Sequence, residues 1–101
     1  MPIGIVLHKY FEKRLAQALE GSAMEGRPEE IEKMKMDFGK NGIRTSWIGE
    51  NDAVVSEVAK NEMQLVRNMN DAVKAAVNRA KLGKGFEFSA ELEGPKSPEQ
   101  P

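Results

Sequence analysis

The chain has 101 residues, 40% of them apolar and 31% charged, and its 15 basic residues against 16 acidic ones leave a net charge of −1. It holds no cysteine and a single histidine, which excludes disulfide scaffolds, thiol catalysis, iron–sulfur clusters and zinc sites built on cysteine. The charge balance excludes a global basic field of the kind nucleic-acid proteins carry, and the size predicts one domain with a modest core.

The longest apolar run near the N-terminus, Ile5-Val6-Leu7, is too short for a secretion signal or a membrane span, so a cytoplasmic location without membrane contact is expected. Leu7, Phe11, Leu15 and Ala18 recur at helical spacing and predict an amphipathic helix over about residues 4–20, closed by Gly21 and Ser22. The rival reading is a short strand over 3–8. His8 falls beside the apolar face of this helix. A general base needs oriented partners, and no cysteine, second histidine or suitably placed serine supplies one. The expected role is therefore a boundary histidine with one hydrogen bond. Catalysis would require a concave pocket holding His8 beside an acid.

Gly21 to Pro28 has the glycine spacing of a phosphate-binding loop, but Arg27 stands where lysine belongs and Pro28 where serine or threonine belongs. An interhelical linker is the better reading. A second helix is predicted over 28–38, with Pro28 in its first turn, Glu29, Glu30 and Glu32 at its positive end, and Ile31, Met34 and Phe38 as its apolar face. Its acids, with Glu25 and Asp37, are interleaved with Lys33, Lys35 and Lys40, which reads as a solvated face and not a cation site. Gly39 and Asn41-Gly42 turn the chain into residues 43–48 (IRTSWI), a stretch of β-formers that predicts a short strand. Trp47 on this strand is either a core residue packed on the following helix or an exposed interface anchor.

Residues 52–82 contain neither glycine nor proline, Asn51 or Asp52 suits an N-cap, and Gly83 suits the residue after the helix. Val55, Val58, Leu65, Met69, Val73 and Ala76, with their neighbours, fall within an arc of about 140° at helical pitch. One helix roughly 45 Å long is predicted, longer than a domain of this size is wide. A partner would cover the overhang, and Ala72, Ala75, Ala76 and Ala80 would let another helix approach closely. Lys60, Arg67, Lys74 and Lys81 stand seven residues apart and predict a basic row about 30 Å long. Residues 74–84 carry Lys74, Arg79, Lys81 and Lys84 without an acid, a local charge of +4, whereas 50–62 carry four acids against Lys60, a local −3. Such a row is a solvated face favoured by the helix dipole, a contact for an acidic protein, or a contact for a nucleic-acid backbone.

Phe86 and Phe88 alternate with Glu87 and predict a second strand over 86–89. Residues 93–101 have the composition of a disordered tail, with Pro95, Pro98 and Pro101 at polyproline spacing and Ser97 before a proline. The expected fold is thus mainly α: two shorter helices packed on one long C-terminal helix, with a small β element at about 43–48 and 86–89, in one domain over 1–92. The alternative is α+β with 3–8 as a third strand. The expected function is a small non-enzymatic protein–protein interaction protein, an adaptor, inhibitor or assembly subunit acting through the long helix, with self-association as an extension and no cofactor. The alternative is a nucleic-acid-binding module. In both, the expected contact residues are Lys60, Arg67, Lys74, Lys81, Lys84 and Trp47.

Overall fold

The computed structural model describes residues 3–21 and 38–94. In chain order these form helix α1 (Ile3–Leu19), strand β1 (Ile43–Ile48), strand β2 (Val54–Ala59), helix α2 (Glu62–Lys81) and strand β3 (Phe88–Leu92). The strands make one antiparallel sheet in the order β2-β1-β3. The second helix expected over 28–38, the phosphate-loop spacing, the acids of the acidic cluster and the prolines of the tail lie outside the described residues, apart from Gly21 and Phe38.

This overturns the mainly helical architecture. No long C-terminal helix spans 52–82; its first third is the turn of a β-hairpin and the strand β2. Two local forces decide the matter. Val54, Val55 and Val58 are β-branched and lose little on a pleated surface. Asn61 then starts the helix: its side chain accepts from the Gln64 amide at 2.9 Å, while the Gln64 side chain accepts from the Lys60 amide at 2.8 Å. That reciprocal cap satisfies two amides and fixes the helix start ten residues later than expected. The far end is as anticipated. Gly83 takes a positive φ of 74°, its amide donates to Ala80 O, and the Lys84 amide donates to Arg79 O, the paired bonds of a glycine-terminated helix.

The strand at 43–48 forms as expected, and the last strand lies at Phe88–Leu92, slightly beyond the 86–89 stretch. A third strand exists, but it is β2; residues 3–8 belong to α1. Direct cross-strand partners share a face, so Ile43, Thr45 and Trp47 of β1 lie on one side with Val55, Ala59, Phe88 and Ala90. Both helices cover this side. Leu7, Phe11 and Leu15 from α1 meet Leu65, Met69, Val73 and Ala76 from α2 over it, all nearly inaccessible. The Phe11 ring stacks parallel on Phe88, with centroids 4.4 Å apart. The opposite face carries Arg44, Ser46, Ser56 and Ser89, in keeping with the one wet face of an antiparallel sheet. There the Arg44 guanidinium makes two bonds to the Glu93 carboxylate at 2.7 and 2.8 Å, and the Glu93 amide donates to Gly42 O.

Candidate interaction surface

Hydrogen-bond parity separates the two sheet edges. The Gly49 amide donates to Ala53 O, so residues of odd number exchange bonds between β1 and β2, and Val54, Ser56 and Val58 direct their N–H and C=O groups outward. The Glu93–Gly42 bond shows that on the other side even-numbered residues of β1 exchange bonds with odd-numbered residues of β3, so Phe88 and Ala90 direct theirs outward from β3.

The β3 edge is covered by α1. His8 Nδ1 lies 3.2 Å from Phe88 O, and a Cβ on Gly4 would collide with Ala90 O, so the first turn of α1 sits directly on the strand backbone. The β2 edge has no such cover among the described residues. Val54 is 73% exposed, Ser56 and Glu57 are exposed, and Val58 is half-buried. Beside this edge, on the helical side of the sheet, runs an open groove of about 530 Å³ between β2 and α2, lined by Gly49, Ala53, Val55, Asp71, Lys74 and Ala75.

The β1–β2 loop that closes one end of the groove is fastened to the C-terminal half of α2. Arg79, 8% exposed, donates to Gly85 O at 2.5 Å, Gly49 O at 3.1 Å and Asp52 Oδ1 at 2.7 Å. Asn78 donates to Glu50 at 2.7 Å. Asp52 itself holds a φ of 67°, a left-handed conformation that aspartate tolerates better than most residues. Hydrogen bonds from Arg79 and then Lys84 hold its carboxyl below the ordinary value of 3.8.

The expected contact residues are dispersed by this geometry. Lys60 lies in the turn between β2 and α2, off the helix, so the four-membered row is broken. Arg67, Lys74 and Lys81 remain in line on the exposed side of α2, and only Lys74 reaches the groove. Lys84 is engaged with Asp52 at 3.1 Å, and Arg79 is buried in the same cluster. Trp47 is 6% exposed and belongs to the core, not to an interface. The apolar arc of α2 is likewise covered from within by α1 and the sheet, so it offers no docking seam. What the sequence did not disclose is the β2 edge. Its only signals were the adjacent β-branched residues and the Asn61-x-x-Gln64 cap.

A second groove, about 580 Å³, runs between the start of α1 and β3 and has His8 at its rim with Ser89 and Glu91. The His8 ring spans two acceptors, Phe88 O at 3.2 Å and Glu12 Oε2 at 2.9 Å. With both nitrogens facing oxygens, the ring ties α1 to β3, and at the rim of this groove His8 does stand beside an acid, Glu12. Among the described residues no group of three or more metal-binding side chains converges, and no helix is long and apolar enough to cross a membrane. No family model, curated protein or solved structure matches the chain.

Proposed function

We propose that the chain is a small non-enzymatic protein-interaction module, cytoplasmic, that takes up an extended partner segment along β2. The observation that carries this is the outward row of backbone groups on Val54, Ser56 and Val58 beside the α2 groove. An added strand would bond to that row, and its alternate side chains would enter the groove, the arrangement by which sheet edges recognise extended peptides. The strand VVSEVA contains no lysine or proline of the kind that blunts edges not meant to pair, and its one charge, Glu57, lies opposite Thr45 on the side of the sheet where Lys74 lines the groove.

Selection of extended peptides against the chain, followed by amide mapping, tests the reading. Binding is expected to shift the amides of Val54, Ser56 and Val58 and the side chains of Asp71 and Lys74. Peptides that shift only Arg67 and Lys81, or no peptide binding at all, would overturn it. The nucleic-acid reading now stands on Arg67, Lys74 and Lys81, which are exposed on α2 and take part in none of the ion pairs seen among the described residues. It predicts low-salt binding abolished by charge reversal at Lys74 and Lys81, with a shallow salt dependence befitting about three phosphate contacts.

A further inference from the structure

We infer that the segment seated on the β2 edge is β2 of a second copy of this chain, joining two three-stranded sheets into one of six strands about a twofold axis at Ser56. This rests on the reading of the β2 edge as the working surface and names its occupant.

The strand is complementary to itself in one register. Only even-numbered residues direct backbone groups outward, so even residues must face even residues in an antiparallel pair. Ser56 opposite Val58 would set Glu57 against Glu57, two like charges in direct cross-strand contact, which is destabilising. Val54 opposite Ser56 would overlap the strands only over residues 54–56. Ser56 opposite Ser56 overlaps residues 54–58 and pairs Val54 with Val58 of the second copy, twice by symmetry. This register covers the most exposed valine on the sheet, 73% accessible in the single chain, with another β-branched residue. It also sets Glu57 of the second copy beside Val55, at the mouth of the groove. There Lys74, unpaired among the described residues, supplies a cation on the α2 wall, with Asp71 next to it. The sheet's other edge is already occupied by α1 through His8 and Gly4, so the pairing closes after two copies instead of running on into a fibre.

Light scattering and sedimentation of the full chain over a concentration series test the inference. The expected result is a mass that doubles with concentration. Ser56→Pro, which removes an outward amide at a position where an edge strand tolerates proline, is expected to be monomeric over the same range. Val54→Lys, at an exposed site, is expected to weaken association at least tenfold and serves if the proline variant does not fold. The chain has no native cysteine, so Ser56→Cys places a single thiol on the axis. Opposed hydrogen-bonded residues lie about 5.5 Å apart, within disulfide reach, and a covalent dimer is expected on mild oxidation, whereas Lys81→Cys gives none. A chain monomeric to about 1 mM, or a dimer that both Ser56→Pro and Val54→Lys leave intact, overturns the inference. So does a monomer whose Val54, Ser56 and Val58 amides are protected from exchange, since the chain then covers its own edge. A monomer with unprotected amides that still binds extended peptides there removes the second copy and leaves the interaction reading standing.

Discussion

Arg79 and Asp52 are 27 residues apart in sequence and 2.7 Å apart in space, and the bond between them joins the C-terminal half of α2 to the β1–β2 loop. The two side chains differ sharply in setting, 9% accessible for Arg79 and 60% for Asp52. The arginine is thus the buried anchor, and the aspartate is the rim that receives it. Because Arg79 also holds Gly49 O and Gly85 O, one guanidinium fastens two loops to one helix. Replacing Arg79 with alanine is expected to cost about 2–3 kcal/mol, the range for hydrogen bonds to a charged group lost from a buried site. Arg79→Lys should recover less than half of this, since an ammonium lacks the planar fork that reaches three acceptors. Urea denaturation of the two variants checks both figures.

Acid should loosen the same junction. The Asp52 carboxyl is held below its ordinary value by Arg79 and Lys84, so the unfolded chain binds a proton there more readily than the folded one. Its contribution to stability is therefore fully present above about pH 4, the unfolded value. It is lost as pH falls through the lower folded value. Asp52→Asn keeps a residue that tolerates positive φ and removes the titration. A flatter stability profile below about pH 4 is expected for the variant, measured by denaturant midpoint against pH. An unchanged acid slope would show that Asp52 is not the group responsible.

Gly4 stands in the first turn of a helix, where alanine would ordinarily favour the helix by about 1 kcal/mol. Here the added methyl would strike the Ala90 carbonyl, a backbone atom that cannot step aside cheaply. Gly4→Ala is expected to destabilise by about 1–3 kcal/mol, the usual cost of overpacking, with α1 lifted from β3. Chemical-shift changes centred on Phe88 and Ala90, together with a lowered melting temperature, are the readout.

The reciprocal cap at the start of α2 predicts a modest but local loss. Asn61→Ala should cost about 1 kcal/mol, with faster amide exchange at Gln64 and little change beyond the first turn. The same substitution in an uninterrupted helix over 52–82 would have removed no cap at all, so the exchange pattern also locates the boundary.

The parts of the fold legible in the sequence were those with a single period and clear punctuation. Leu7, Phe11 and Leu15 repeat at helical spacing, and Gly21 follows them; IRTSWI is bracketed by Gly42 and Gly49; Gly83 ends α2. The stretch over 52–61 misled because Val55, Val58 and Ala59 satisfy the helical arc and the strand equally, and no glycine or proline divides β2 from α2. With Val54 and Val55 adjacent, strict alternation is absent as well. The deciding bonds, Asn61 with Gln64 and the pairing of β2 to β1, are respectively a four-residue motif and a contact across the hairpin. The candidate surface was illegible for the same reason. A free strand edge is a property of the sheet order, which no local pattern encodes. From the sequence Arg79 reads as part of a solvated basic stretch because its acceptors, two loop carbonyls and Asp52, come together only in the folded chain.

The seat of α1 has a consequence for how the chain is made. The helix is synthesised before β3, yet the surface it rests on includes Phe88 and Ala90 of that strand. Until that strand has left the ribosome, Leu7, Phe11 and Leu15 have only part of their eventual cover. The hairpin and α2 can assemble from neighbours in sequence as they appear, but the N-terminal helix must wait. A ribosome stalled before residue 88 should therefore hold a nascent chain whose α1 remains open to protease, and release of β3 should close it.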